Sequence, residues 1–467
     1  MSKPSVVVIG GGIAGLAAAY ELTGGPSADG AVRVTILERG QTPGGALQTA
    51  SFAGRTIDLG ADGFLATRRE ATELIRDIGR DGEIVPIGAS GAWIYLHHGL
   101  EAIPKGLVLG VPTRFAQVRS LRGLSLRAKW GSLRDFVAPR SLSIGDDATI
   151  GQIVRAKLGS ALVDQLVEPM IGGIQAGRVD DLSAATVFPA LLAAAKKGGS
   201  LQRAIRPPHS AAPLGPLFYS LREGLGSLPT YLATVLQERG VTFHYGEAAT
   251  YLARGTTRRW SVATALTVTE ADAVVITTPP QVAGELLAPH SPAGESLRMI
   301  PSASAAMVTF AVARADINLP ASGTGVLVPL QTPHTANESM IVTAITLLDR
   351  KWPHLADDDS VLVRVHTGRI DDGRSSAMSD DELITRVNSE LRQILGSWPT
   401  PSTARVQRWP HALPQYHAGH AELVRTVRHA AEEIGIWLAG MTYDGVGVPA
   451  SIGSGRLAGQ GVRRTLL

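Results

Sequence analysis

Runs of apolar residues, each bounded by glycine or by charged residues, begin close to the N-terminus of the chain. Residues 6–9 (VVVI) are all β-branched and show no alternation, a pattern typical of a parallel strand buried on both faces. The pattern then predicts a helix rich in alanine and leucine over residues 16–22, and a second strand over residues 32–37 that ends on Glu38. This order predicts the strand–helix–strand unit of an α/β domain.

The turn between the first strand and the helix has the form G-x-G-x-x-G, with Gly10, Gly12 and Gly15 in the three glycine positions. Gly10 is expected to make the tight turn, Gly12 lets the backbone approach a pyrophosphate, and Gly15 lets the helix pack on the strand. The helix N-terminus offers N–H groups to phosphates, and Glu38 can accept hydrogen bonds from ribose hydroxyls. The sequence therefore predicts a dinucleotide site; the alternative is a chance glycine-rich turn.

Three later stretches indicate which dinucleotide binds. Residues 38–45 (ERGQTPGG) resemble the E-R-x-x-x-x-G-G stretch of two-dinucleotide-fold flavoproteins. Residues 58–64 (DLGADGF) and 436–449 resemble the flavin-ring segment and the last FAD contact of the amine oxidase and protoporphyrinogen oxidase superfamily. This resemblance implies an FAD site formed by Gly10, Gly11, Gly12, Ile13, Ala14, Gly15, Glu38, Arg39, Gly45, Ala46, Gly60, Ala61, Asp62, Gly63, Ala249, Trp409, Val446, Gly447 and Val448. A second G-x-G-x-x-G between a strand and a helix is absent, so no built-in NADPH site is expected.

Composition narrows the class of protein. The apolar fraction of 44% and the charged fraction of 18% exclude wholesale disorder, and 467 residues suggest two or three domains. The chain has no cysteine, which excludes disulfides, Fe–S clusters, Cys-ligated zinc and a thioether-linked flavin, so the FAD is expected to be non-covalent. A net charge of +3 argues against a DNA-binding role. No apolar run is long enough for a spanning helix, and a cytoplasmic location is expected.

One segment departs from this charge balance. Residues 105–140 contain eight basic residues, and their only acidic residue is Asp135. Three interpretations stay open: a solvated face, a surface for an anionic membrane or a partner protein, and a site for substrate carboxylates. The apolar run at residues 107–112 beside it favours some kind of contact surface.

The same patterns predict the organisation of the rest of the chain. Strands are predicted near residues 241–245, 248–252, 271–278, 307–312, 361–365 and 436–440, and helices within 220–240 and over 380–395, the latter capped by Ser379. We expect an α/β plus α+β protein. Its Rossmann-type, two-dinucleotide-fold FAD domain is discontinuous, over residues 1–87, 215–280 and 407–467. A mixed-sheet substrate domain comprises residues 88–108 and 281–406, and a helical insert comprises residues 109–214.

Two stretches carry a narrower resemblance. Residues 168–177 (EPMIGGIQAG), with the LS and FP pairs at 182–183 and 188–189, resemble a P-x-x-x-G-x-Y-A-G…L-S…F-P pattern. Residues 409–420 (WPHALPQYHAGH) resemble W-x-x-A-x-P-Q-Y-x-x-G-H. With the N-terminal motif, these make the chain similar over essentially its full length to the oxygen-dependent porphyrinogen oxidases. Gln175 stands where tyrosine is common in that family. Residues 60–68 (GADGFLATR) resemble the Gram-positive bacterial type, which oxidises coproporphyrinogen III to coproporphyrin III.

The resemblance implies a mechanism and its partners. Six electrons would pass from the porphyrinogen through flavin N5 to three O₂, giving H₂O₂, in haem biosynthesis. Because the flavin carries the chemistry, no catalytic acid or base is assigned, and no metal is expected. The substrate propionates need basic partners, and the candidate substrate residues are Arg68, Arg69, Gln175 and Arg178. A ferrochelatase or another downstream haem-pathway partner and peripheral contact with the inner face of the membrane are further expectations; nucleic acid is not a partner.

Four alternatives stay open at this point. The first is oxidation of protoporphyrinogen IX, which has two propionates where coproporphyrinogen has four. The second is a flavin amine oxidase, although an aromatic fraction of 5% gives little material for the usual aromatic cage. The third is a carotenoid-desaturase-like enzyme with a non-oxygen acceptor. The fourth is an FAD-stabilised binding protein that hands porphyrin to a partner.

Overall fold

A computed structural model describes residues 3–97, 99–139, 141–207, 215–255, 259–319 and 322–467. The chain forms two compact units. The first contains Met1–Pro86, Pro216–Pro301 and Glu422–Leu467, and the second contains Ile87–Gly215 and Ser302–Ala421. Every helix in the described part of the chain is too short or too polar to cross a bilayer.

The strands are numbered in chain order: β1 (Ser5–Ile9), β2 (Arg33–Glu38), β3 (Thr49–Phe52), β4 (Arg55–Asp58), β5 (Phe64–Leu65), β6 (Ile84–Pro86), β7 (Trp93–Leu96), β8 (Gly99–Ala102), β9 (Phe218–Leu221), β10 (Thr242–Tyr245), β11 (Tyr251–Arg254), β12 (Trp260–Ala263), β13 (Val268–Ala271), β14 (Ala273–Ile276), β15 (Ser302–Ala313), β16 (Gly325–Leu327), β17 (Pro333–Thr335), β18 (Glu338–Ser339), β19 (Val342–Leu347), β20 (Ser360–Thr367), β21 (Thr403–Pro414) and β22 (Ile436–Leu438).

The α-helices are α1 (Ile13–Leu22), α2 (Arg69–Asp77), α3 (Phe115–Ser120), α4 (Leu126–Val137), α5 (Ile150–Leu158), α6 (Ser160–Leu162), α7 (Glu168–Gln175), α8 (Ala184–Val187), α9 (Pro189–Lys197), α10 (Leu201–Ala204), α11 (Leu228–Glu238), α12 (Pro280–Leu287), α13 (Ala293–Arg298), α14 (Leu348–Lys351), α15 (Arg374–Ala377), α16 (Asp380–Leu395), α17 (His420–Glu432), α18 (Met441–Asp444) and α19 (Val448–Leu466). A π-helical turn at Val163–Val167 joins α6 to α7.

A five-stranded parallel sheet forms the centre of the first unit, in the order β10-β2-β1-β14-β22. Strand β1 lies in the middle, so its residues are covered on both faces, as the unbroken apolar run predicts. The five strands agree with those expected near residues 6–9, 32–37, 241–245, 271–278 and 436–440. The expected strand at 248–252 starts later, at Tyr251; just before it, the N–H groups of Gly246 and Glu247 donate to the carbonyl oxygens of Gly40 and Glu38.

The helix α1 is buried on all of its sides, and small residues make this possible. Helix α19 packs against it so closely that a Cβ atom built on Gly455 would lie 2.0 Å from the carbonyl oxygen of Ala14. A Cβ on Gly459 would lie 2.6 Å from the carbonyl oxygen of Ala18. The glycines of α19 therefore set the distance between the two helices.

A seven-stranded mixed sheet organises the second unit, in the order β21-β15-β20-β19-β16-β7-β8. Of the neighbouring strand pairs in this sheet, β16 and β7 are parallel and the others are antiparallel. Helix α16 starts and ends at the predicted residues, with Ser379 and Glu382 forming a capping box at its N-terminus.

The predicted helical insert is not a third compact unit. Ile94 and Leu96 of β7 lie in the same buried cluster as Leu158 and Leu166 from the helices of the insert. A shared core joins the helices to the sheet, so the two form one unit. The boundaries also shift, since residues 281–301 fall in the first unit and residues 407–421 in the second.

The α1–α19 contact generates a stability prediction. Gly455→Ala should lower the free energy of unfolding by about 1–3 kcal/mol, because the added methyl group overlaps backbone atoms of α1. Gly453→Ala in the same helix is the matched control, since its Cβ would meet only the flexible side chain of Glu70, at 3.4 Å. Thermal melting compares the two variants; equal melting temperatures would contradict the packing argument.

Candidate functional site

The glycine-rich turn after β1 has the geometry that the motif predicts. Gly10 adopts φ +108° and its N–H donates to the carbonyl oxygen of Leu37, at 2.8 Å. A Cβ on Gly15 would lie 2.0 Å from the carbonyl oxygen of Gly10. Both positions therefore require glycine, one for its backbone angle and the other for the close approach of helix to strand.

Glu38 is buried at the end of β2, and its carboxylate is held by the backbone. One oxygen accepts from the N–H of Gly11, at 2.6 Å, and the other from the N–H of Gly40, at 2.7 Å. Each carboxylate oxygen still has a lone pair with which it can accept a hydroxyl. These two hydrogen bonds thus fix the turn and the acid relative to one another.

The paired glycines Gly44 and Gly45 cross over this turn. The N–H of Gly44 donates to the carbonyl oxygen of Gly11, at 2.9 Å, and Gly44 forms a parallel bridge with Gly12. A Cβ built on Gly12 would find its nearest neighbour only at 4.0 Å, so the space in front of this residue is open. Gly12 is also the N-cap of α1, where the described residues supply no side-chain cap.

These features fit an adenine dinucleotide. The open space at Gly12 and the uncapped first turn of α1 suit a pyrophosphate, and the fixed carboxylate of Glu38 suits a ribose diol. Ile13 and Ala14 begin the helix, Arg39 is exposed, and Ala46 is half-buried after the glycine pair. Contact of these residues with a cofactor stays a prediction.

The segment over residues 60–63 follows β4 without regular structure. Asp58 fixes its start, because the buried carboxylate accepts from the N–H groups of Leu225 and Gly226, at 3.0 and 2.7 Å. Phe64, directly after the segment, lies in the same buried cluster as Ile452 of α19. Gly60 is buried, Ala61 is exposed, and Asp62 and Gly63 are half-buried.

The C-terminal segment meets the same turn. The N–H of Ala439 donates to the carbonyl oxygen of Ile276, at 3.1 Å. Gly440 has φ +123°, and a Cβ there would lie 3.9 Å from the Cβ of Ala14. Residues 446–448, which include the predicted contacts Val446, Gly447 and Val448, form the turn into α19 a few residues further on.

Arg428 of α17 holds this C-terminal segment in place, a role the sequence analysis missed. Its guanidinium forms two hydrogen bonds with the carboxylate of Asp444, one of them 3.0 Å long, and donates to Ser454 Oγ at 3.3 Å. Ser454 Oγ also accepts from the N–H of Gly440, at 2.9 Å. Arg428 thus ties both ends of α18. A lone arginine on an amphipathic helix carries no local signal of such a role.

Two predicted cofactor residues, Ala249 and Trp409, lie outside the turns described above. Ala249 is in the loop before β11, near Glu247, whose N–H donates to the backbone carbonyl oxygen of Glu38 at 2.9 Å. Trp409 belongs to the second unit, in β21 opposite Ala305. Its contact with a cofactor stays a prediction.

The candidate substrate residues form two sets. Arg68 and Arg69 lie in the first unit, where Arg68 pairs with Glu70 at 2.6 Å and Arg69 is the exposed first residue of α2. Gln175 and Arg178 lie in the second unit at the end of α7. Arg68 and Arg69 therefore belong to one unit, and Gln175 and Arg178 belong to the other.

Arg178 belongs to a charged cluster in the second unit. It pairs with Asp371 at 2.9 Å, and its Nε lies 3.9 Å from the buried Glu168. Glu168 also contacts the buried Arg369, at 3.3 Å, and burial raises the pKa of its carboxyl group above the ordinary value. Gln175 is buried, and its Oε1 has no hydrogen-bond partner among the described residues.

Metal ligation finds no support in the described residues, where no group of three or more histidine, aspartate or glutamate side chains could hold an ion. His417 and His420 have the spacing His-x-x-His that some metal sites use. His420 is buried, and its ring lies 4.6 Å from that of Tyr416.

Comparisons with known proteins give the geometry a context. The sequence matches the family of flavin containing amine oxidoreductases over residues 13–463. Coproporphyrinogen III oxidase of Bacillus subtilis is 30% identical over 467 residues, covering 98% of this chain and 97% of that protein. The Mycobacterium leprae protein of the same name is 33% identical, covering 97% and 96%. A crystal structure from Exiguobacterium, provisionally named protoporphyrinogen oxidase, has a TM-score of 0.88 and 33% identity, covering 100% of both chains.

The role of Arg428 is testable. Arg428→Ala should raise the dissociation constant of the flavin nucleotide by about tenfold, or about 1.4 kcal/mol, because the turn into α19 loses its anchor. Titration of the flavin-free protein measures this. Arg425→Ala is the matched control, since that arginine of the same helix forms only an exposed ion pair with Glu422. The same dissociation constant in both variants would contradict the assigned role.

Proposed function

This chain belongs to the flavin containing amine oxidoreductase family, and from that premise we propose that it binds FAD non-covalently and oxidises coproporphyrinogen III to coproporphyrin III in haem biosynthesis. The observation that carries the proposal is the similarity to coproporphyrinogen III oxidases over 97–98% of this chain, which includes both units. The Glu38 carboxylate, fixed between Gly11 and Gly40, supports an adenine dinucleotide as the cofactor.

In this proposal the chain positions the cofactor and the substrate and adds no acid or base of its own. When bound, the flavin supplies a hydride acceptor for the saturated meso carbons of the substrate, with O₂ as the final acceptor and H₂O₂ as the product. Glu38 would accept hydrogen bonds from the ribose, and the open space at Gly12 would leave room for the pyrophosphate. Residues 60–63 and 446–448 are the segments that would lie beside the flavin ring.

Arg178 is the residue we propose to bind a propionate in the second unit. Its partner Asp371 keeps 42% of its side chain exposed, and such surface ion pairs contribute little, about 0–1 kcal/mol. A substrate carboxylate can therefore displace Asp371, while the buried Glu168 stays in place. The Oε1 atom of Gln175 is an acceptor of the kind that a pyrrole N–H requires. Arg68 and Arg69 are the corresponding candidates in the first unit.

Protoporphyrinogen IX is the second candidate substrate, favoured by the provisional name of the Exiguobacterium relative. The division of the chain into an FAD-binding and a substrate-binding part, a cytoplasmic location and a downstream enzyme that takes the product stay predictions.

The activity test follows porphyrin fluorescence in air for the purified protein with each porphyrinogen in parallel. We expect the porphyrin fluorescence to grow faster than in the autoxidation blank, and faster with the tetracarboxylate coproporphyrinogen III than with the dicarboxylate protoporphyrinogen IX. About three H₂O₂ should form per porphyrin if the flavin passes electron pairs to O₂. The same protein freed of flavin is the control. Faster growth with the dicarboxylate would select protoporphyrinogen IX. No growth with either would overturn the proposal and favour the amine oxidase, desaturase or binding-protein alternatives.

If Arg178 binds a substrate propionate in place of Asp371, substitutions of these two residues should change KM in opposite directions. Arg178→Ala should raise KM for coproporphyrinogen by about tenfold with little change in kcat, because a charge-assisted hydrogen bond to the substrate is lost. Asp371→Asn should lower KM, because the competing carboxylate loses its charge. Arg392→Ala, an exposed arginine of α16, is the control. Arg68→Ala is measured in the same way, and an unchanged KM would remove that residue from the candidates.

A further inference from the structure

Residues 175–179, here called the α7 turn, carry two of the candidate substrate residues on a strained backbone. Gln175 ends α7, and the next residue, Ala176, adopts the left-handed conformation with φ +49° and ψ +27°. Helices often end in a left-handed residue, but glycine usually fills that position because a Cβ atom is crowded there. Ala176 is also buried. An alanine in this conformation costs free energy, and such strain persists only where surrounding contacts enforce it.

Gln415 joins the α7 turn to the end of β21. It is the first residue after that strand and is 1% exposed. Its Nε2 atom donates to the carbonyl oxygens of Gln175 and Leu413, at 2.9 Å each. A Cβ atom built on Gly177 would lie 2.1 Å from Gln415 Oε1, so the amide of Gln415 fits directly against the backbone of the turn.

Two further hydrogen bonds hold the α7 turn. The N–H of Ile370 donates to the carbonyl oxygen of Ala176, at 2.8 Å. The N–H of Val179 donates to Oε2 of the buried Glu168, at 3.0 Å. Ile370 directly precedes Asp371, the carboxylate that the proposed substrate would displace, so the first of these bonds also sets the position of that carboxylate. The turn is thus held at its start, its centre and its end.

We propose that Gln415 is a positioning residue for the substrate, which holds the α7 turn so that Arg178 is directed at a substrate carboxylate. This inference rests on the proposed function, because it takes Arg178 as the residue that binds a propionate. A turn that is already fixed loses little conformational freedom on binding, so more of the binding free energy is retained. Glycine at position 176 would remove the strain and add freedom. Strained residues held in place in this way are typical of binding and catalytic sites.

The test compares two variants of the α7 turn in the full-length protein with its cofactor. Ala176→Gly relieves the strain, so the melting temperature should stay the same or rise. KM for coproporphyrinogen III should nevertheless rise about threefold with little change in kcat, because Arg178 is held less firmly. Gln415→Met keeps a similar volume but removes both N–H donors, and KM should rise about tenfold.

Binding of the product gives a readout that needs no turnover. The dissociation constant of coproporphyrin III, which keeps the four carboxylates, should rise by the same factors in both variants. Ala53→Gly is the matched control, because Ala53 has φ +48° and lies exposed between β3 and β4 in the first unit. In an Arg178→Ala background, Ala176→Gly should raise KM by less than about twofold further, since the turn acts through Arg178.

The outcomes separate this inference from the proposed function. If the wild-type protein oxidises coproporphyrinogen III, three results overturn the inference alone. They are wild-type KM and product affinity in both α7-turn variants, an equal rise of KM in Ala53→Gly and Ala176→Gly, and an undiminished effect of Ala176→Gly in the Arg178→Ala background. A wild-type protein that oxidises neither porphyrinogen overturns the proposed function, and this inference with it.

Discussion

The complete burial of α1 is the constraint on which the first unit depends. A helix enclosed on all sides cannot carry large residues where β1 and α19 approach it, so glycine and alanine occupy those positions. Its one acidic residue, Glu21, is buried as well and is paired with Arg456 of α19 at 2.6 Å. Because α19 comes from the far end of the chain, the nucleotide turn and the C-terminal turn are held together by the same helix pair.

The packing of α19 against α1 also positions the backbone of the candidate site. Gly440 and the α18–α19 turn reach the first turn of α1 only because α19 lies directly against that helix. Arg428 then holds α18 through Asp444 and Ser454. The backbone segments proposed to face the cofactor come from parts of the chain that are distant in sequence, and glycine contacts and one bidentate ion pair fix them.

Local sequence signals predicted the elements that depend on local rules. The β-branched run of β1, the glycine spacing and the Ser379 cap each determine structure within a few residues, so their positions were foreseen. Long-range effects were not. The left-handed turn at Ala176 and the anchor Arg428 depend on residues far along the chain, and the shared core of β7 and the insert helices merges two expected domains. The charge of residues 105–140 was visible in the sequence, but the burial of Asp135 was not.

The discontinuous first unit has a consequence for how the protein is made. On the ribosome, β1 and α1 are synthesised long before the α19 residues that cover α1. At about 5–20 residues per second, the apolar surface of α1 stays without its partner for tens of seconds. The second unit is also interrupted by first-unit strands and completes earlier. Nascent chains of this protein should therefore depend on chaperones that shield the apolar helix α1 until α19 has been synthesised.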